Sequence, residues 1–440
     1  MIRATTGGVL KSYRRNLMNS FIATNKARET VLTQRTFNSY AEDPAAASKA
    51  FRLRKSRMAT ESQYNVCNDT YSKFQTGFSC LMSVDKILDT DTECMNTLST
   101  ATLKWLNDPT GDAREQLTKV LDQMSQTIVQ CLNQKYGDNF IFAGADGHNV
   151  PFEIKTVDGS NRLFYRGVPV DAAEPNVVTQ NGANVTVDAA GNLDPNGGCY
   201  ICADSISTMK ADDFDAMDAA DQPQVMRDAS GNAVRVDEKG NFDPNGDYVM
   251  CTANIKTMTQ EDYDEAMEDV EKLEYLVNEK CFVDIGLGFQ EANGKLIEAS
   301  AFNDALNGLT FLGYGLDSDG DPKNIYSIVQ RMTELRDSVP EGGSWDDVWP
   351  EFHRLVGKLE TASSEFKTEF ANMDAGTTKL ENNLKLLEDN VYNLREQYSE
   401  LEDEDMAAAI SSFIWAQYCY NAALKVGNSV LSESLMDYLS

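Results

Sequence analysis

Both ends of this 440-residue chain are written as amphipathic helices that cannot close on themselves. From Leu380 the apolar residues fall at Leu384, Leu387, Val391, Leu394, Tyr398 and Leu401, an alternating four-three spacing that makes a coiled-coil seam. The rhythm slips and resumes at Met406, Ile410, Phe413, Tyr420 and Leu424, with Gln417 as a polar interruption. Toward the other end, Cys67, Tyr71, Phe74, Phe78, Leu81, Leu88, Met95 and Leu98 repeat the pattern. Each stripe needs a partner, and the nearest is the opposite end of the same chain; the next is another subunit. The expected fold is mainly α, a long antiparallel helical bundle or coiled coil built from N- and C-terminal arms. Such a chain reads as a building block of an assembly.

The net charge of −30 is unevenly placed. Residues 1–60 hold twelve Lys/Arg against three Asp/Glu, whereas residues 150–270 hold 23 acidic and 8 basic side chains. The basic start lacks an aromatic stacking platform and the acidic remainder would repel phosphate, which argues against nucleic acid. A mean hydropathy of −0.42, with no run near the roughly 18–20 apolar residues a span needs, argues against membrane insertion. Met1 to Asn16 carries Arg3, Lys11, Arg14 and Arg15 but no apolar core of a secretory signal. The expectation is the cytoplasm, or export by a machine that uses no cleaved signal.

The breaks divide the chain into five segments. Residues 1–43 form a terminal helix, Val9 to Thr33, and a loop. Asp43 is a good N-cap and Pro44 suits the first helical position, so residues 44–149 are the N-terminal arm, helical from Pro44 to about Ser99. A turn at 107–111 leads to a second helix with Leu117, Leu121, Met124, Ile128 and Cys131 as its seam. Residues 150–270 read as an inserted, acidic, β-rich domain. It opens on a hairpin around Asp158-Gly159 and contains an internal duplication. Gly182, Val185, Val187, Asp188, Gly191, Asn192, Asp194, Pro195, Asn196, Gly197 and Cys202 recur 49 positions later, from Gly231 to Cys251, and the match fades through Thr257-Met258. Residues 271–405 combine a small β segment, with a hairpin at Asn293-Gly294, and the C-terminal arm; residues 406–440 are the C-terminal helix.

Catalytic patterns are scarce. The two histidines, His148 and His353, have no acidic or cysteine partner at a recognisable spacing, and there is no Walker loop, GxSxG or HExxH. Cys199 and Cys202 form one CxxC, but a structural zinc wants a second pair and only Cys251 or Cys281 lies near. Nine cysteines, an odd number, do not read as a disulfide framework. Asn192-x-Asp194-x-Asn196-Gly197 and Asp317-x-Asp319-x-Asp321 resemble the front of a calcium loop. In the repeat the twelfth position, which should be a bidentate Glu, is Ala203, or Thr252 in the second copy, and the Asp317 run fails in the same way. Asx turns account for them without a metal. No catalytic residue, cofactor or metal is predicted.

The outermost ends are left with little to pack against once the arms have bundled. Leu17, Phe21, Val31, Ile410, Phe413, Tyr420, Leu424 and Leu431 are therefore the expected assembly interface. Both tails are expected to be largely unfolded in a dilute monomer and helical when subunits stack. Head-to-tail stacking uses heterologous contacts, which leave each layer an open edge.

Several segments then resemble a known family. Thr36 to Ala47, with Asn38-Ser39, Asp43-Pro44 and the alanine run, is similar to the signature after the first helix of bacterial flagellins and hook-associated proteins. Gly137 to Gly144, Pro151-Phe152, Tyr165-Arg166-Gly167, Ala407 to Ile410 and Ser434 to Leu439 resemble the hook–filament junction family in particular. Val283 to Gly288 and Phe311 to Gly315 resemble its strands before the C-terminal helices. Thr33-Gln34-Arg35 departs from the Gly-Lys/Arg turn usual there, and residues 168–279 lie outside the resemblance. The resemblance implies a flagellin-like fold with terminal helices forming an inner tube. It implies a non-enzymatic adaptor, self-associating in a ring between a hook-side junction protein and flagellin. It also implies type III export, with an export chaperone, to an extracellular flagellum. Flagellin itself, or a surface-binding or adhesin module carried by the middle domain, are the rival readings.

Overall fold

Short polar side chains set the helix starts along the chain. Asp43 Oδ1 accepts from the amides of Ala45 (3.1 Å) and Ala46 (2.9 Å), and Asp405 Oδ1 accepts from Ala407 (2.8 Å). Thr259, Asn307 and Asn324 do the same for three further helices. The computed structural model describes residues 6–88, 111–157, 159–180, 182–189, 193–194, 196–217, 222–227, 232–252, 255–339 and 348–439. Its helices are α1 (Thr6–Thr33), α2 (Pro44–Leu88), α3 (Gly111–Leu132), α4 (Ala211–Asp215), α5 (Gln260–Val277), α6 (Gly308–Leu312), α7 (Ile325–Ser338), α8 (Trp349–Glu402) and α9 (Met406–Leu439). Residues 107–110 of the expected turn, with Met95 and Leu98, lie outside the described residues.

Two compact units result, one of Met1–Thr70, Asp284–Ala301 and Lys379–Ser440, the other of Tyr71–Val283 and Phe302–Thr378. In the first, α1 lies antiparallel to α9, and the α2 and α8 portions face one another. There the Cys67 thiol donates to the Leu380 carbonyl (3.7 Å), and Leu380 and Leu387 are buried. A hairpin of β9 (Glu291–Ala292) and β10 (Lys295–Leu296) turns through Asn293 and Gly294, both at positive φ (55° and 73°).

The second unit holds the larger core. Phe78 stacks on Phe370 (4.8 Å between centroids) and Phe74 meets Phe302 edge-on (5.2 Å). Tyr165, Tyr326, Phe142, Phe152, Phe352 and Phe366 are fully buried, each contributing about 1.5–3 kcal/mol. The hairpin of β1 (Phe152–Val157) and β2 (Ser160–Tyr165) turns at the expected place. The expected strand at Phe311–Gly315 is instead the short α6 and its exit. Asn307 Oδ1 accepts from the Leu309 amide (2.9 Å), which starts a helical turn where a strand would have continued.

The duplicated region is a pair of interlocked copies. The first comprises β3 (Thr186–Val187), β4 (Cys199–Ile201), β5 (Ser207–Lys210) and α4; the second comprises β6 (Arg235–Val236), β7 (Tyr248–Cys251), β8 (Thr257–Thr259) and α5. Within each copy the first two strands pair, Cys199 with Val187 and Tyr248 with Val236. The third strand crosses over: β5 pairs with β7 (Met209 with Val249) and β8 with β4 (Tyr200 with Met258). Moving one partner of each pair forward by 49 and the other back converts either ladder into its twin. The following helices keep the relation, since the Ala211 amide donates to the Asp247 carbonyl (2.8 Å) and Gln260 to Gly198 (2.9 Å). Two strands cannot bury a face alone, and the exchange brings Val187, Ile201, Val236 and Met250 into one core. The duplication therefore runs through the third strand and into a helix, where Asp213 and Asp215 recur as Asp262 and Asp264.

Both copies close on the same turn. Asp194 and Asp243 each accept from the amide two residues on (Asn196 and Asn245, 2.9 Å in both), so these carboxylates cap their own backbone. A Cβ on Gly197 would stand 2.2 Å from the Val187 carbonyl oxygen, and one on Gly246 2.1 Å from that of Val236. Gly197→Ala and Gly246→Ala should each destabilise the second unit by about 1–3 kcal/mol, and by matching amounts, in urea unfolding of the full chain. A loss from only one of them would contradict the equivalence of the copies.

Candidate functional site

The α1–α9 pair is the part of the chain whose chemistry is least satisfied by its own fold. Between residues 406 and 432 the only charged side chain is Lys425, so α9 turns large apolar side chains outward alongside a few uncharged polar ones. Its contact with α1 is close. The Tyr13 hydroxyl donates to the Ala423 carbonyl (3.1 Å), the Thr24 hydroxyl reaches the Ala416 carbonyl (3.1 Å), and Phe21 and Tyr420 lie 5.8 Å apart. The small residues Ala416, Ala423 and Gly427 let the helices approach, and a Cβ on Gly427 would overlap the Tyr13 ring. The tails, expected to have little to pack against, thus pack on each other.

One helix covers one side only. Trp415 (68% exposed) and Tyr418 (66%) stack with centroids 5.9 Å apart beside exposed Ile410 and Ile414. On α1, Met18, Ile22 and Leu32 (72% exposed) are open as well. Among the residues named from sequence, Leu17, Val31, Phe413 and Tyr420 are half-buried, while Phe21, Ile410 and Leu424 are exposed. Leu431 lies in α9 beyond the side chains described. The most exposed group, Ile414, Trp415 and Tyr418, was missed because a single four-three stripe was traced. Tracing the whole circumference of residues 406–426 would have found it. The seam on α8 divides similarly, with Leu380 and Leu387 buried and Leu384, Val391, Leu394, Tyr398 and Leu401 half-buried.

At the root of the pair the two chain breaks are joined. The Thr36 amide donates to the Glu402 carbonyl (2.8 Å) and the Glu404 amide to that of Gln34 (3.1 Å), an antiparallel bridge at Arg35 and Asp403. Gln34 ends α1 at a φ of 59°, the left-handed conformation that glycine takes most readily. Glu402, 4% exposed, binds Arg35 Nη1 (3.1 Å) and Arg54 Nη2 (3.1 Å). Arg54 also donates to the Tyr398 hydroxyl (2.5 Å), and the guanidiniums of Arg54 and Arg57 lie over its ring.

A second cluster, in the other unit, looks like a metal site and is filled from within. Asp317, Asp319 and Asp321 bring carboxylate oxygens within 4.8 Å of one another, the only such group among the described residues. The Lys358 ammonium binds Asp317 and, at 2.7 Å, Asp319; Arg354 Nε lies 2.8 Å from Asp321. Burial works to raise the Asp317 carboxyl. Hydrogen bonds from Lys358 and from the amides of Asp319 and Asp321 outweigh it and hold the group below the usual carboxylate range. The same two carboxylates hold the Lys358 ammonium above its ordinary value. The CxxC cysteines are spread over strands, Cys199 paired with Thr259 and Val187, and the eight described cysteines are free thiols. His148 and His353 are exposed. Among the described residues no helix is long and apolar enough to cross a membrane.

No protein-family model matches the sequence, and no curated protein matches it. Solved structures do. One is a protein from Vibrio parahaemolyticus described as flagellar hook-associated, 11% identical over 82% of this chain and 100% of that one, with a TM-score of 0.43. Another is the flagellar junction protein FlgL from Legionella pneumophila, 15% identical over 76% and 99%, with a TM-score of 0.35. A third is FlgL from Xanthomonas campestris, 11% identical over 79% and 99%, with a TM-score of 0.34.

The ion-pair reading of the carboxylate cluster makes a pH prediction. Asp317 contributes stability that is complete above the ordinary carboxylate range and is lost as pH falls through its lowered native value. Lys358→Met should move the Asp317 titration upward, followed by carboxyl-carbon NMR. An unmoved titration would mean that Lys358 is not its partner in solution.

Proposed function

We propose that this chain is a structural, non-enzymatic component of the bacterial flagellum, a ring-forming adaptor between the hook and the flagellin filament. One observation carries the reading: α9 leaves Ile410, Ile414, Trp415 and Tyr418 exposed on the side that α1 does not cover. The uncovered face calls for further helices of the same kind, supplied by neighbouring copies or by related tube-forming subunits. Each large apolar side chain covered there contributes about 1.5–3 kcal/mol, which offsets the entropy of ordering the tails.

The sequence resemblance supports the finer assignment. On it, the partners are further copies of the chain, flagellin, a hook-side junction protein and an export chaperone, and the route is type III export to the extracellular flagellum. The α2–α8 arms act as an antiparallel coiled coil that carries the terminal pair. The acidic inserted domain is closed on itself by strand exchange.

Trp415→Ala and Ile414→Asp should weaken self-association by roughly 10–100-fold each, measured by sedimentation of the full chain, without changing its unfolding midpoint by more than a degree or two. In a dilute monomer the amides of 8–30 and 410–426 should exchange rapidly and become protected on assembly; slow exchange throughout both stretches in the monomer would contradict coupled ordering. Deletion in the native host should leave hooks and spill flagellin into the medium. Filaments that persist without the protein would reject the junction role, and loss of the bulk filament subunit itself would identify it as flagellin.

A further inference from the structure

We propose that Glu402 is a positioning residue that holds the roots of α1 and α9 together before assembly. The inference rests on the interface reading above and specifies what presents that interface. Helices α1 and α9 are separated by more than 370 residues of chain, from Thr33 to Met406, so their meeting would otherwise be a long loop closure. The bridge at Arg35 and Asp403 makes that closure short for the two tails, because it joins the chain just past the end of α1 to the chain just before the start of α9.

The bridge does not float. Phe37, in the loop after Arg35, is buried with Ala47 and Ala50 of α2, and Tyr398 of α8 packs on the same cluster. Glu402 supplies both halves of the connection. Its carbonyl accepts from Thr36 while its carboxylate takes Arg35 on Oε1 and Arg54 of α2 across both oxygens. One buried side chain therefore ties the α1–α2 loop, helix α2 and the end of α8 to one point. Apolar contact could hold these elements close, but two guanidiniums on one carboxylate fix their direction as well.

Exposed residues of the tails thereby become neighbours at high effective concentration, and the two tails enter assembly together rather than as two separate strands of chain. Nothing in this role requires Glu402 to touch a neighbouring subunit. It acts through Arg35 and Arg54.

The test uses the full chain and two readouts. In Glu402→Gln the amides of Thr36 and Glu404 should exchange faster together, on the order of tenfold, while those of Cys67 and Leu387 stay protected. The concentration needed for half-assembly should rise by a similar factor, although Trp415 and Ile414 are untouched. Arg35→Gln, which removes one arm at a largely exposed residue, repeats the measurement should Glu402→Gln fail to fold. Unchanged protection at Thr36 and Glu404 overturns the proposal, as does faster exchange at both with assembly unaltered. Should Trp415→Ala leave assembly intact, the interface reading falls, while the paired response of the two amides still decides whether the roots are clamped.

Discussion

A helix that carries one charge over most of its length and turns large apolar side chains to water needs covering, and α9 is such a helix. The requirement reaches back through the rest of the first unit. Tyr13, Thr24 and Phe21 give α1 a face that fits α9, and Ala416, Ala423 and Gly427 shorten the distance between the axes. Helix α1 also carries Lys11, Arg14, Arg15 and Arg28, all exposed, so α1 presents several charges to water where α9, up to residue 432, presents only Lys425. The pair is consequently asymmetric, with one helix suited to an edge and the other to an interior. A lone antiparallel pair of this kind is marginal in water, which links its folding to the supply of neighbours.

The second unit answers its own needs. Its aromatic core is closed, and its inserted region solves a problem of insufficient strands by exchanging them between two copies. Even the carboxylate cluster is self-contained, because Lys358 and Arg354 sit where a cation would. Attraction among three carboxylates and two cationic side chains needs no outside ion, and the turn around Asp317 is fixed by the same amide contacts that shape the turns at Asp194 and Asp243. Acidic composition in this region is thus compatible with a finished fold, whereas the basic N-terminal segment belongs to the unfinished one.

Local chemistry made much of this readable. Asp43-Pro44, the Leu380–Leu401 spacing, the Asp158-Gly159 and Asn293-Gly294 turns and the 49-residue repeat each carry their physical reason within a few residues. Helix α5 was also written locally, since Thr259 caps it by accepting from the Asp262 amide (3.1 Å), but its acidic composition hid it inside a segment read as β-rich. The strand exchange could not be read at all. Identical copies leave the choice between pairing within a copy and pairing across copies to the linkers and to the shared core. At the candidate site the stripe was legible and the clamp was not, because Arg35, Arg54 and Glu402 are ordinary charged residues until the fold buries one among the others. Gln34 marks the same limit: its departure from glycine was visible, but its left-handed backbone keeps the turn that glycine would have made.

The polar character of that clamp follows from what surrounds it. Heptad seams are permissive about axial position, since sliding by one repeat returns apolar residues to apolar residues. A buried carboxylate with two guanidiniums adds little net stability compared with a well-packed apolar contact, yet it is satisfied in one arrangement only. Shifting α8 by a turn, about 5.4 Å, would leave Glu402 buried without either arginine, a state far costlier than the ion pair is favourable. Register in a long two-helix arm is thereby fixed at one end by charge, and the apolar face of α1 and α9 is carried at a defined place along it. A surface meant to meet copies of itself needs that definition more than it needs extra stability.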